Sequence, residues 1–173
     1  KLKFTISVVK QNSIILEKKL ALLDGGEDAL AFATGMAGIF LLLFHLLGKN
    51  GHLVSQRRVY GGTAVLFSKV LPRLGANVTF VENSLDFNEW QNTVRKNTKA
   101  IFVEMPANPT LDICDLEKIV EFAKKKNVPV IVDNTFATPA LFRPLKWGAD
   151  FVVRSLTKYE NPGGTNAGGE EIA

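Results

Sequence analysis

The sequence predicts an α/β protein, a mostly parallel sheet with helices on both faces. Three observations carry this reading. Strand-like and helix-like stretches alternate through most of the chain. The strand-like stretches are continuous apolar runs rather than apolar–polar alternations, as expected where both faces of a sheet are covered. Residues of unusual type (Gly35, Tyr60, Glu104, Asn108, Asp133 and Ser155) fall where those strands end, the edge at which such sheets bind ligands.

Residues 1–13 show no clear periodicity and are left unassigned; 14–173 read as one domain. Ile14 to Leu23 is a helix ended by Gly25-Gly26. Ala29 to Ala33 is a short buried strand. Thr34-Gly35-Met36 leads into a helix to about Leu47, apolar nearly all round and so expected to be buried on most sides. His45 within it reads as a core or interface histidine, because His52, in another element, is not at ligand spacing. Gly51 to Ser55 is a strand, followed by a loop through Tyr60 and Gly62 and a helix from Ala64 to Arg73. Asn77 to Val81 is the next strand. Asp86 and Glu89 stand at capping-box spacing for a helix to Val94. Ala100 to Glu104 is an apolar strand running into Pro106-Ala107-Asn108-Pro109. Asp115 caps a helix with Leu116, Ile119, Val120 and Ala123 on one face. Pro129 to Val132 is a β-branched strand ending at Asp133. A loop to Gly148, the strand Phe151 to Val153, Ser155-Leu156-Thr157-Lys158-Tyr159 and a Gly-rich tail complete the chain.

Composition narrows the function classes. The chain is 46% hydrophobic and 22% charged, a globular composition, with a formal net charge of +4. Its basic residues are scattered apart from Lys124-Lys125-Lys126, a solvated face that suits the end of a helix. Nothing forms a basic stripe with aromatics, so nucleic acid is not expected as a partner. Ile39 to Leu47 is too short to span a bilayer and no signal-peptide pattern is present, so no membrane partner is expected. The single cysteine, Cys114, excludes an internal disulfide and a multi-cysteine metal site, reads as packing, and fits a reducing, cytoplasmic setting. No metal site is expected. No GxGxxG follows a strand and no GxxxxGK[ST] occurs.

What remains matches the needs of a pyridoxal phosphate site: a lysine for the aldehyde, a carboxylate for the ring nitrogen, donors for the phosphate and a ring to cover the cofactor. Lys158, Asp133, Gly35 with Met36, Ser155 with Thr157, and Tyr60 supply these in turn. Singly each has a plainer reading. Asp133 reads also as a strand-end or cap acid, Tyr60 as a rim aromatic, Gly35 as a conformational glycine, and Ser155 and Thr157 as turn hydroxyls. Their joint order along an α/β chain is what points to the cofactor.

The strings LALLDGGEDALAFATGMAGI, VYGGT, VEMPANPTLDICDL, VDNTFATPALFRPLKWGADFVVRSLTKY and GGTNAGG resemble the Cys/Met-metabolism family of pyridoxal phosphate enzymes, from about residue 16 to 169. SLTKY with the GT..GG string after it is most similar to the O-acetylhomoserine sulfhydrylase branch. The resemblance implies fold type I, with 14–173 as the aspartate aminotransferase-like large domain that binds the cofactor. It implies Lys158 as the Schiff-base lysine and proton-shuttling base, Asp133 at the pyridinium nitrogen, and Tyr60 stacked on the ring and assisting proton transfer. Gly35, Met36, Ser155 and Thr157 would hold the phosphate. Asn108 would lie near the ring hydroxyl and substrate carboxylate, and Thr135 against the other ring face. The implied reaction is γ-replacement on O-acetylhomoserine by a sulfur nucleophile, in homocysteine or methionine biosynthesis. A γ-lyase or γ-synthase activity on cystathionine or methionine is the alternative. The implied assembly is a homotetramer of tight dimers.

Three departures from the family's pattern stand in the sequence. The Tyr-x-Arg that reaches a neighbouring subunit's phosphate is missing near Thr5 to Ser7. The string after SLTKY reads Glu160-Asn161-Pro162-Gly163 in place of a Gly-His string. The arginine-bearing C-terminal domain that binds the substrate carboxylate is not in this chain. These motivate a second expectation from another class, a non-catalytic cofactor-domain fragment. An unrelated α/β ligand-binding domain is a third, and it must treat the match around Asp133 and Lys158 as coincidence.

Overall fold

The computed structural model describes residues 11–161 and 167–173. The place expected for Tyr-x-Arg and the pair Pro162-Gly163 lie outside them. The described chain runs α1 (Gln11–Asp24), β1 (Ala29–Phe32), α2 (Gly35–Leu47), β2 (His52–Gln56), α3 (Gly61–Val65), β3 (Asn77–Val81), α4 (Phe87–Thr93), β4 (Thr98–Glu104), α5 (Leu116–Lys126), β5 (Val130–Asp133), α6 (Thr138–Leu141), β6 (Phe151–Arg154) and β7 (Gly169–Ile172). The seven strands form one sheet in the order β1-β7-β6-β5-β4-β2-β3. Every pairing is parallel except those of β7, which runs antiparallel to both β1 and β6.

The continuous apolar strands are explained by two cores. Successive side chains of a strand face opposite ways. Ile101 and Val103 of β4 pack with Val130 and Val132 of β5 against Leu116, Ile119, Val120 and Ala123 of α5. Ala100, Phe102 and Ile131 pack on the other side against Ile39, Leu42, Leu43 and Leu47 of α2 and Phe67. A smaller cluster joins Leu20 and Ala21 of α1 to Ala29, Val152 and Ile172. Each fully buried Leu, Ile or Val contributes about 1.5–3 kcal/mol.

The ends of the elements follow local chemistry. Gly25 adopts φ +78° and closes α1 by donating to Ala21 O at 2.9 Å. Asp115 Oδ1 accepts Lys118 N–H at 3.1 Å and caps α5, and Lys124, Lys125 and Lys126 lie exposed in its last turn. Cys114 is buried with its Sγ 3.8 Å from Met105 Sδ, and burial pushes the thiol up to about 12, so it packs rather than reacts.

Several expectations need correction. The helix after Tyr60 begins at Gly61 and continues through a π turn (Leu66–Val70) into a 3₁₀ turn (Leu71–Leu74). The capping box on α4 is half made. Asp86 Oδ1 accepts Asn88 N–H at 2.9 Å, but Glu89 Oε2 accepts Asn83 N–H, because Asp86 N–H already donates to Asn83 O. The loop before Gly148 holds α6 and a 3₁₀ turn, Pro144–Trp147. α2 is buried on one flank only: Leu41 is 47% and Phe44 57% exposed, and His45 beside them is exposed rather than in the core. β1 is a strand, but only Ala29 of it is buried. The Gly-rich tail ends in β7, which had no strand signal. Among the described residues no helix is long and apolar enough to cross a membrane.

One ionic cluster pins β7 in place. The wholly buried Arg154, last in β6, forms ion pairs with Asp24 of α1, Glu170 of β7 and Glu160, the last at 2.6 Å. One guanidinium cannot balance three carboxylates, two of them wholly buried and Glu160 partly so. Burial raises all three above the usual range against the pull of Arg154, and Glu170 reaches about 8. The folded protein therefore keeps a proton on Glu170 at pH values where the unfolded chain, near 4.5, has lost it. Stability from this group is full below about 4.5 and is lost as pH rises through about 8. The urea midpoint should fall between pH 5 and pH 9. Glu170→Gln, a neutral side chain of the same length, should flatten that fall, and an equally steep decline in the variant would count against it.

Candidate functional site

The carboxyl ends of β1, β2, β4, β5 and β6 meet around a cavity of about 240 Å³. Its wall is built by the segments that leave those strands. Thr34 is extended and caps α2, its Oγ1 accepting Ala37 N–H at 3.2 Å while its carbonyl takes Ala37 and Gly38 N–H. That leaves the first N–H groups of α2, those of Gly35 and Met36, without an intrahelical partner at the cavity. A helix N-terminus in this state favours an anion. The approach is close. A Cβ on Gly35 would stand 3.0 Å from both Cα and Cβ of Ser155, and one on Gly169 would press into the Gly35 backbone.

Tyr60 precedes α3 and is half exposed, at 47%. A Cβ on Gly62 would meet its ring at 2.7 Å and Met36 Sδ at 3.3 Å, so the glycine makes room for the ring beside Met36. Thr63 Oγ1 donates to Met36 Sδ at 3.7 Å.

Asp133 and Glu104 are paired in register at the ends of β5 and β4, so their side chains share a face. Both are buried. Asp133 Oδ1 accepts from Thr135 Oγ1 at 2.6 Å and Thr135 N–H at 3.0 Å. Burial raises Asp133 above the usual range, while Thr135 and the more distant Arg154 pull it back. No Lys, Arg or His among the described residues forms an ion pair with it. Burial, and then the neighbouring Asp133 charge, push Glu104 to about 7.

The segment after β6 carries the lysine. Ser155 N–H donates to Thr135 Oγ1 at 2.9 Å, tying it to the Asp133 loop. Thr157 Oγ1 donates to Gly168 O at 3.2 Å and accepts Gly168 N–H at 2.9 Å, tying it to the approach to β7. Lys158 N–H donates to Ser155 O at 3.2 Å, and its side chain is exposed at the lip of the cavity.

All nine candidate residues, Gly35, Met36, Tyr60, Asn108, Asp133, Thr135, Ser155, Thr157 and Lys158, line this one cavity. Sequence reasoning gave no role to Thr34, Ile39, Pro106, Phe136 or Glu104, which also line it. Thr34 carried an unused signal, a hydroxyl residue one position before an apolar helix.

The family model for Cys/Met metabolism PLP-dependent enzymes matches residues 9–169. The chain belongs to this family. Within it, the chain is 47% identical over 154 residues to an O-acetyl-L-homoserine sulfhydrylase of Corynebacterium glutamicum, covering 89% of this chain and 35% of that protein. It is 46% identical over 148 residues to an L-methionine gamma-lyase of Fusobacterium nucleatum subsp. polymorphum, covering 85% and 37%. A solved putative O-acetylhomoserine (thiol)-lyase of Campylobacter jejuni, containing N'-pyridoxyl-lysine-5'-monophosphate, superposes with a TM-score of 0.90 at 38% identity, covering 92% of this chain and 40% of that one. The fold is thus fold type I. The chain spans 35% to 37% of the length of these two curated relatives.

Thr135 joins the Asp133 loop to the lysine segment through one hydroxyl. Thr135→Val removes the donor to Asp133 and leaves Ser155 N–H without its acceptor, a loss of about 1–3 kcal/mol. The expected outcome is a lower urea midpoint and weaker binding of pyridoxal phosphate. Equal values in the variant and the wild type would contradict the linkage.

Proposed function

We propose that residues 14–173 are the cofactor-binding large domain of an enzyme that replaces the γ-substituent of O-acetylhomoserine with a sulfur nucleophile. One observation carries the reading: a single cavity gathers a lysine, a buried carboxylate with no ion-pair partner among the described residues, a helix N-terminus and an aromatic ring. These fit pyridoxal phosphate. Among the described residues no Lys, Arg or His forms an ion pair with Asp133, and a protonated ring nitrogen would supply one beyond the distant pull of Arg154. The glycine-lined start of α2, with Ser155 and Thr157, suits a phosphate group that needs donors and close approach.

When bound, the cofactor acts as an electron sink that stabilises negative charge at the substrate Cα. The chain's residues do the rest. Lys158 Nζ would hold the cofactor aldehyde and, when free, would move the proton of the substrate Cα. Asp133 holds positive charge at the ring nitrogen. Gly35 and Met36 would orient the phosphate through backbone N–H groups and Ser155 through its hydroxyl, and Thr157 would do so by turning its hydroxyl proton from Gly168 O to the phosphate. Tyr60 would cover one ring face and assist proton movement, Thr135 would lie against the other, and Asn108 would orient the ring hydroxyl and substrate carboxylate. In the net reaction the Cγ–O bond breaks, acetate leaves with the electron pair, and a Cγ–S bond forms. A homotetramer of tight dimers in the cytoplasm belongs to this reading, and the exposed Leu41 and Phe44 of α2 support assembly.

The near-equal identity to the methionine gamma-lyase favours a second reading, γ-elimination. Products of O-acetylhomoserine in the full-length enzyme separate the two. Sulfide-dependent homocysteine supports replacement. Ammonia and 2-oxobutanoate formed at the same rate with or without sulfide support elimination. Lys158→Ala should abolish the visible absorption of bound cofactor, and a variant that keeps the wild-type band would rule out Lys158.

A further inference from the structure

Glu104 is not among the residues that touch the cofactor in the reading above, yet it is 5% exposed at the base of the same cavity. Its two oxygens are both engaged, in different directions. Oε2 accepts Tyr60 N–H at 2.8 Å, from the segment after β2. Oε1 accepts Asn108 N–H at 2.7 Å, from the segment after β4. Its main chain is held in turn by Gln56. Gln56 Oε1 accepts Glu104 N–H at 3.1 Å, and Gln56 Nε2 donates to Glu104 O at 3.0 Å and to Arg58 O at 2.8 Å. One carboxylate therefore bridges the two segments that carry the ring-covering Tyr60 and the ring-orienting Asn108.

We infer that Glu104 is a positioning residue, a two-armed clamp that fixes Tyr60 and Asn108 relative to one another across the cofactor pocket. The inference rests on the roles proposed above for those two residues. Only a carboxylate fits the task. It offers an acceptor oxygen to each N–H, and such charge-assisted bonds are about twice as strong as neutral ones. An amide has one oxygen, and its NH₂ would face a second donor. The side chain sits beside Asp133, a like charge in a buried site, so the two N–H donors also help hold it there.

The test uses Glu104→Gln and hydrogen exchange in the purified protein without cofactor. The expected result is exchange roughly tenfold faster at the Tyr60 or Asn108 amide, the size of one lost charged hydrogen bond, with Phe102 and Ile131 amides unchanged. Unchanged exchange at both loop amides, or uniform acceleration through the sheet, would overturn the clamp. A second readout asks whether Glu104 acts through Tyr60. Glu104→Gln should raise the dissociation constant for pyridoxal phosphate about tenfold in the wild-type background and about threefold in Tyr60→Ala. Equal factors in the two backgrounds would refute action through Tyr60. If Glu104→Gln does not fold, Glu104→Asp, which withdraws the carboxylate by one methylene, is read in the same two assays. A wild type that binds no pyridoxal phosphate would sink the functional reading, whereas the clamp is judged separately by the exchange data.

Discussion

In β4 and β5, neighbouring side chains belong to different cores. Ile101 and Val103 face α5, while Ala100 and Phe102 face α2. A strand sandwiched in this way has no wet face, so polar side chains are admitted only where it ends. Because β1 to β6 all run the same way, those ends fall on one edge of the sheet. Tyr60, Glu104, Asp133 and Ser155 meet there although 60 to 155 spans more than half the chain. The site is a product of strand direction before it is a product of any single contact.

The carboxylates of the protein show how differently a buried acid can be accommodated. Asp133 is held by the hydroxyl and N–H of Thr135 and is left without a cation among the described residues. Glu104 is held by two backbone N–H groups. Asp24, Glu160 and Glu170 crowd a single arginine. The first arrangement leaves a demand for positive charge at the cavity, the second fixes loops, and the third ties α1, β6 and β7 together. Arg154 and Glu160 flank the lysine segment, so the ionic cluster also braces Ser155 to Lys158 from behind.

The parallel sheet, most of its strands and the nine cavity residues were legible because they are written in local patterns. Apolar runs mark β2, β4, β5 and β6, and Tyr60, Asp133 and Lys158 follow the ends of β2, β5 and β6. Glu104 was visible as a strand-end acid, but its partners are backbone N–H groups, which have no sequence signature. The Arg154–Asp24 pair joins residues 130 positions apart, and nothing near either predicts the other. β7 was hidden by its composition, Gly169-Glu170-Glu171-Ile172, in which the buried Glu170 is accommodated beside Arg154. The apolar pattern of α2 overstated its burial, since periodicity does not say what covers the second flank. The π turn after α3 left no mark in Leu66 to Val70.

β7 lies between β1 and β6, so the last strand of the described chain fills a gap between two strands made earlier. Gly169 at its start rests against the Gly35 backbone, and Gly168 just before it is bound to Thr157. The α2 end of the cavity is therefore backed by residues synthesised after all of the described residues that line it. A nascent chain that has emerged only as far as Lys158 already carries the lysine, the carboxylate and the ring, yet lacks the strand that brings α2 and the lysine segment together. The junction between α2 and the lysine segment thus depends on β7, although neither belongs to it.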